Sequence, residues 1–343
     1  MKPKIISAGH VCLDITPVFP PSTGDVGLAS LLAPGKLFET GAADIHTGGS
    51  VANTGLALKL LGNDVTLLGK IGRDAFGGIV KSIFASYGVG GPIESEAAST
   101  SYSVVLAPSG QDRVFLHHPG ANATFTSEDV PEDVLKDAVL FHFGYPPIMR
   151  AMYQNGGDEL VRLFQRVKSH GIATSLDLAA VDPDSEAGQA DWKEILSAVL
   201  PDTDFFVPSF EELCFMLDRT RYAALDHSSD VTAHLDMARD VRPLADAALK
   251  MGCRLVLIKC GLSGLYLKTA DRTAWQRRGD RLSLDADIWA NREIVQPCLK
   301  ADRVLSGTGA GDTSIAAFLT AVLDGYPPEV CTALAAAEGA CCV

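Results

Sequence analysis

The chain has 343 residues, 47% of them hydrophobic and 21% charged, with a formal net charge of −13. That balance excludes a disordered segment, and the acidity excludes a general nucleic-acid binder, which grips phosphate with clustered Lys and Arg. The length admits one large α/β domain or two smaller ones, and no run of about 18 apolar residues marks a membrane span. Eight cysteines without a C-x-x-C pair read as reduced thiols, not zinc ligands. The stretch from Met1 to His10 lacks an apolar run of signal-peptide length, so a cytoplasmic protein is expected.

In chain order, Lys4 to Leu13 reads as one buried strand, and Asp64 to Gly69 as another. Leu140 to Phe143, Ala173 to Leu178, Thr203 to Val207 and Arg254 to Lys259 continue the series. Between them the apolar spacing predicts helices over Ser50 to Leu61, Phe76 to Tyr87, Gly157 to Ser169, Asp191 to Leu200, Ser209 to Leu217 and Thr232 to Met251. This alternation predicts an α/β fold with a mostly parallel sheet flanked by helices. Two regions break the rhythm. Thr16 to Thr47 is rich in Pro and Gly, and Ser99 to Leu116 reads as a hairpin of Tyr102 to Ala107 and Arg113 to Leu116 around Pro108-Ser109-Gly110-Gln111. Together, segments of about 16–47 and 99–118 are expected to form a small β-sheet flap on a single domain spanning 1–343.

The sharpest local feature is Gly307-Thr308-Gly309-Ala310-Gly311-Asp312-Thr313-Ser314 ahead of an apolar run with helical spacing. Small residues at a helix entry admit a ligand close to the backbone, and the unpaired N–H groups there form an anion hole. Such a hole suits a phosphoryl group whose charge builds during transfer. A carboxylate at that position is stabilised by the helix dipole by about 0.3–1 kcal/mol. Asp312 therefore reads either as an ordinary N-terminal residue or as a base that takes a hydroxyl proton beside the held phosphate. Neither G-x-G-x-x-G after a first strand nor a Walker A Gly-Lys-Ser/Thr is present.

These residues resemble the second signature of the ribokinase-like (PfkB) carbohydrate kinase family, D-T-x-G-A-G-D at a helix start. The family's first signature resembles Thr47-Gly48-Gly49-Ser50-Val51-Ala52-Asn53, Leu61-Gly62 and Gly69-Lys70-Ile71-Gly72-Arg73-Asp74-Ala75-Phe76-Gly77. The resemblance implies a Rossmann-like core with a β-sheet lid, and transfer of the γ-phosphoryl of Mg·ATP to a hydroxymethyl group of a sugar. It implies Asp312 as catalytic base with Gly309, Ala310 and Gly311 as anion hole. It implies Asp14, Gly48, Gly49, Asn53 and Asn122 (in Gly120-Ala121-Asn122) around the acceptor. On the nucleotide side it implies Lys259, Gly261 and Gly264, with Thr308 and Ser209, and Glu212 organising Mg²⁺ through water. Homodimerisation through the lid is a further expectation.

The chain departs from the family pattern at four places. Ser306 stands for the first Asp of D-T-x-G-A-G-D, which leaves a monovalent-cation site open. Ser209 replaces the Asn of N-x-x-E, and Asp177-Leu178-Ala179 stands where relatives carry D-x-N. The sequence stops at Val343 in an Ala-rich helical stretch (Ala333 to Ala340), where relatives usually continue. Arg113 and Arg150 are the candidates to hold a phosphate already on the acceptor. Without a Lys in the Gly48–Asn53 segment, an unphosphorylated ketohexose or pentose is the expected substrate. The alternatives are a nucleoside, with Phe115, Phe38 or Tyr102 lining a base slot, and a silent sugar- or nucleotide-binding protein.

Overall fold

The computed structural model of the protein describes residues 2–20, 33–108, 114–226, 230–276, 280–300 and 307–343. Arg113 and Ser306 lie outside those residues. Its strands are β1 (Lys4–Gly9), β2 (Cys12–Pro17), β3 (Ala43–Gly48), β4 (Asp64–Gly72), β5 (Ile93–Ser95), β6 (Tyr102–Leu106) and β7 (Val114–His118). They continue as β8 (Ala138–Gly144), β9 (Ala173–Leu176), β10 (Phe205–Phe206), β11 (Leu255–Lys259), β12 (Leu265–Thr269) and β13 (Glu293–Gln296). The main helices are α1 (Ser50–Leu60), α2 (Ala75–Ser86), α3 (Asp158–Ser169), α4 (Trp192–Val199), α5 (Phe210–Leu217), α6 (Arg242–Met251), α7 (Ala310–Leu323) and α8 (Pro328–Cys342).

The large sheet runs β13-β12-β11-β10-β9-β8-β1-β4-β5. Pairing is parallel from β5 across to β11, and antiparallel at β11–β12 and β12–β13. Successive residues of its central strands point to opposite faces, so each strand feeds two cores. Ile6, Phe141, Phe143, Leu176, Phe206 and Ile258 pack with α3, α4, α5 and α6. Ile5, Leu67, Phe205, Leu255 and Leu257 pack with α1, α2, α7 and α8. α3 shows why these segments become helices: Leu160, Leu163, Phe164 and Val167 recur at helical spacing and are all buried.

The run Lys4 to Leu13 is not one strand. β1 ends at Gly9, whose φ of 125° turns the chain out of the large sheet. A Cβ there would sit 2.2 Å from the Gly144 carbonyl oxygen, so only glycine fits between the ends of β1 and β8. The chain re-enters as β2 in a second sheet of order β3-β2-β6-β7. This small sheet takes β3 and the β6–β7 hairpin from the two irregular segments, and β7 is exposed throughout. Among the described residues, no helix is long and apolar enough to cross a membrane.

Candidate active site

α7 starts at Ala310 with Gly309 as its N-cap, in the left-handed conformation at φ 81° and with no side-chain cap. The first amides of a helix have no intrahelical acceptor; here the Ala310 amide donates to the Gly307 carbonyl at 3.4 Å, and no side chain caps the amides that follow it. Thr308 precedes it at an exposed position, and the helix itself is buried on most sides. Asp312, in the first turn, is 5% exposed. Its Oδ2 accepts from Asn53 Nδ2 at 3.1 Å and its Oδ1 from the Thr54 hydroxyl at 3.1 Å. The Tyr145 hydroxyl lies 2.9 Å from Oδ1 and 2.8 Å from Oδ2. Burial raises the Asp312 pKa, against the opposing pull of Lys259 and of these three donors.

Three neighbouring strands of the large sheet bring the other charges to the same end. Lys259 ends β11, and its ammonium donates to Asp177, just past β9, at 2.6 Å. Its aliphatic stem runs beside Gly311, whose added Cβ would lie 3.4 Å from Lys259 Cδ and 3.8 Å from Nζ. Glu212 comes from the first turn of α5, after β10. Burial pushes the Asp177 carboxyl up to about 8, helped by Glu212 and Asp312 and opposed by Lys259. Burial lowers the Lys259 pKa, but Asp177, Glu212 and Asp312 overcome it and the net shift is upward. One ammonium thus faces three carboxyl groups, a crowding of acids that favours further positive charge.

Ser209 and Glu212 are tied together locally. The Ser209 amide donates to Glu212 Oε2 at 2.8 Å, and the Glu212 amide donates to the Ser209 hydroxyl at 3.3 Å. This is an S-x-x-E capping box, a helix-start device visible in the sequence. Of the two glycines after β11, Gly261 abuts Thr232, and an added Cβ on Gly264 would lie 2.1 Å from the Gln296 carbonyl oxygen. Both close approaches are to the protein itself.

On the other side, Asp14 lies on β2 with its carboxylate against Gly48, whose Cβ would fall 2.1 Å from Asp14 Oδ2. Gly49 caps α1 at φ 84° and presses on His10. The short path from Gly48 to Thr54 therefore joins Asp14 to Asp312. Asn122 does not face open space: Val11 N donates to its Oδ1 at 3.2 Å and its Nδ2 donates to Val11 O at 2.8 Å. It staples the link between β1 and β2, a role its distant partner hides from sequence reading. Arg150 is engaged at the surface, with Nε 3.0 Å from Glu186.

Three residues that the sequence analysis did not single out also belong to this end of the sheet. Thr54 and Tyr145 touch Asp312 directly. His10 is 2% exposed, and neither ring nitrogen has a partner among the described residues. Burial, with His117 beside it, drops its pKa to about 3, so it is a neutral imidazole offering one donor and one acceptor. A histidine inside the apolar run from Lys4 to Leu13 was the signal available for it.

The description "pfkB family carbohydrate kinase" matches residues 25–343. Fructokinase-2 of Oryza sativa subsp. japonica is 26% identical over 317 residues, 86% of this chain and 84% of that protein. An uncharacterized sugar kinase of Archaeoglobus fulgidus is 25% identical over 293 residues, 84% of this chain and 94% of that protein. Among solved structures, fructokinase of Xylella fastidiosa with bound ATP superposes with TM-score 0.70 at 20% identity, covering 99% of this chain and 92% of that one. Arabidopsis thaliana ribokinase complexed with ribose and ATP gives 0.69 at 20% identity, covering 100% and 93%.

Proposed function

The chain belongs to the pfkB family of carbohydrate kinases, and on that premise we propose that it transfers the γ-phosphoryl of ATP to a hydroxymethyl group of an unphosphorylated sugar. Members of the family are phosphotransferases that act on sugar hydroxyl groups. The observation that carries the reading is a buried carboxylate, Asp312, in the first turn of an uncapped helix beside the Lys259 stem.

In this reading Asp312 takes the proton of the acceptor hydroxyl as that oxygen bonds to the γ-phosphorus and the bond to the ADP oxygen breaks. The amides of Gly309, Ala310 and Gly311 and the Lys259 ammonium hold the phosphoryl oxygens as charge develops. Lys259, Gly261, Gly264, Ser209 and Thr308 line the nucleotide side. When magnesium accompanies the nucleotide it supplies positive charge between the transferring phosphates. Glu212 suits it as an oxygen donor acting through water: the capping box engages Oε2 and, among the described residues, leaves Oε1. The excess of carboxylates around Lys259 fits an incoming cation.

Asp14, Gly48, Gly49 and the neutral His10 form the acceptor side in this proposal, with Arg113 as a further candidate from sequence, while Asn122 supports that side through the link between β1 and β2. The Arg150–Glu186 pair supports an acceptor without its own phosphate. Similarity to the rice fructokinase supports a ketohexose. We further assign the small sheet as a lid and as the interface of a cytoplasmic homodimer. Ile45, Val114, Phe115 and Leu116 are each 39% exposed or more on its strands, an apolar surface that a second copy would cover. Light scattering at micromolar concentration should give twice the chain mass, and a monomer would overturn that assignment.

The direct test is an ADP-release screen with Mg·ATP against ketoses, aldoses, hexose phosphates and nucleosides. A ketose or pentose signal that disappears in Asp312→Asn is expected. A signal from nucleosides alone would transfer the same chemistry to a different acceptor. Tight sugar binding without product would make the protein a sensor.

A further inference from the structure

Tyr145 is a contact of the base that neither signature motif contains. Its hydroxyl carries one proton and bisects the carboxylate, 2.9 Å from Oδ1 and 2.8 Å from Oδ2 of Asp312. A general base needs the reacting hydroxyl within about 2.6–3.2 Å, which is the place this phenol fills. A carboxylate offers about four acceptor sites. Asn53 and Thr54 take one on each oxygen, and Tyr145 engages both. With Asp312 buried, an acceptor hydroxyl that reaches the base competes with Tyr145 for the sites that Asn53 and Thr54 leave.

The donor poised to leave is Tyr145. Asn53 and Thr54 belong to the first turns of α1, which pack into the core. Tyr145 stands alone between the end of β8 and Pro146, with φ 67° and ψ 39°. That left-handed conformation is rare for a bulky residue and is held only by its surroundings. Its carbonyl accepts from Ile148 N at 3.2 Å, which anchors the backbone and leaves side-chain rotation as the route of release. The His10 ring, with both nitrogens unpartnered, lies 6.4 Å away between centroids and offers the freed hydroxyl a partner.

We propose that Tyr145 is a specificity-determining residue: in the empty enzyme its hydroxyl occupies the acceptor's place on Asp312, and a sugar must displace it to react. The inference rests on the kinase reading above. It also gives Tyr145 a purpose, because water is the hydroxyl compound that competes for the phosphoryl group. A polyol making several contacts displaces the phenol, whereas a single water does not.

The test compares wild type with Tyr145→Phe and Tyr145→Ala, using the sugar that the ADP-release screen identifies. Loss of a hydrogen bond to a charged group predicts an acceptor KM about tenfold lower or more in Tyr145→Phe, with kcat retained. Sugar-independent ADP release should rise in Tyr145→Ala. The acid limb of kcat/KM, which reports the free enzyme, should move to higher pH in Tyr145→Phe, because the lost donation had lowered the pKa of the base. The limb of kcat should stay, since the phenol has already left in the sugar complex. The other groups facing this base are Lys259 from β11, Asn53 and Thr54 from α1, with Asp177 and Glu212 around the lysine; all are unaltered in the variant. A fall in kcat at constant KM, with the kcat limb shifted, would show that Tyr145 stays on the base during turnover and would overturn the proposal. A lower melting temperature with unchanged kinetics would overturn it as well. A wild type that phosphorylates nothing in the screen would remove the kinase reading and this inference together, an outcome distinct from both.

Discussion

Strands β9, β10 and β11 carry a buried charge cluster at each end, and the two are built on opposite plans. At their N-terminal ends Lys168 and Arg254 meet Asp204 and Asp280. Lys168 reaches Asp204 at 2.8 Å and Asp280 at 3.3 Å, and Arg254 contacts both carboxylates. Arg254 Nε approaches Asp204 Oδ1 at 3.1 Å as a charge contact without hydrogen-bond alignment. Asp204 also accepts from the amide of Thr174 at 2.9 Å. Among the described residues, two cations therefore balance two carboxylates. At the C-terminal ends Lys259 is, among the described residues, the one cation that faces Asp177, Glu212 and Asp312. The balanced cluster is complete within the protein and clamps the sheet. The unbalanced one is left with negative charge that an incoming cation relieves, which is the condition of a binding site. The difference follows the general rule that ligands of open α/β sheets bind at the carboxyl ends of the strands.

The largest separation between the ends comes from single neutralisations. Asp312→Asn should lower turnover by about 10²–10⁴-fold, the contribution of a general base. Its melting temperature should hold or rise, because one of three crowded carboxylates has been removed. Turnover close to wild type would show that Asp312 is not the base. At the opposite end, Arg254→Met leaves two buried carboxylates with one partner and should destabilise the fold by about 3–5 kcal/mol in urea unfolding. The KM values of the folded enzyme should not change. If instead Arg254→Met unfolds no sooner than wild type, the balanced cluster is dispensable and the contrast fails.

What could be read from sequence divides along similar lines. The helix start at Gly309 to Asp312 and the pairing of Gly48-Gly49 with Asn53 are local patterns, since neighbours in sequence create the geometry. Asn53 nevertheless bonds Asp312, 259 residues away, instead of facing only the acceptor side. The clamp of Lys168, Asp204, Arg254 and Asp280 was illegible because its members scatter over the chain and meet only through strand order. The turn out of the sheet at Gly9 was hidden by apolar residues that continue through Val11 and Leu13, so the run read as one strand. Tyr145 was hidden for a different reason. Gly144-Tyr145-Pro146-Pro147 reads as a turn, and no propensity announces a tyrosine in the left-handed region. The capping box of Ser209 and Glu212 was legible as S-x-x-E, but the comparison with N-x-x-E drew the reading toward the metal instead.

The pH dependence of stability is the smallest of these effects and probes the unbalanced end alone. Asp177 titrates at 3.8 when unfolded and is raised to about 8 in the fold, by burial and by the carboxylates that share Lys259. Asp312 is raised as well, by burial. In that window these two groups hold more protons in the native state than in the unfolded chain, so their contribution to stability falls as pH rises from about 4 to about 8. Buried His10 and His142, lowered to about 3, contribute in the opposite sense up to about 6.5. Lys259, raised above 10.5, keeps its stabilising charge throughout the window and loses it only above it. Asp177→Asn removes the raised carboxyl, so its urea midpoint should gain on that of wild type as pH rises across the window, whatever the absolute change from leaving Lys259 without that partner. Equal slopes in the two proteins would mean that the 2.6 Å contact keeps Asp177 ionised in the fold. The C-terminal cluster would then contain an ordinary Lys259–Asp177 ion pair, which cancels the lysine charge and leaves Glu212 and Asp312 to attract a further cation.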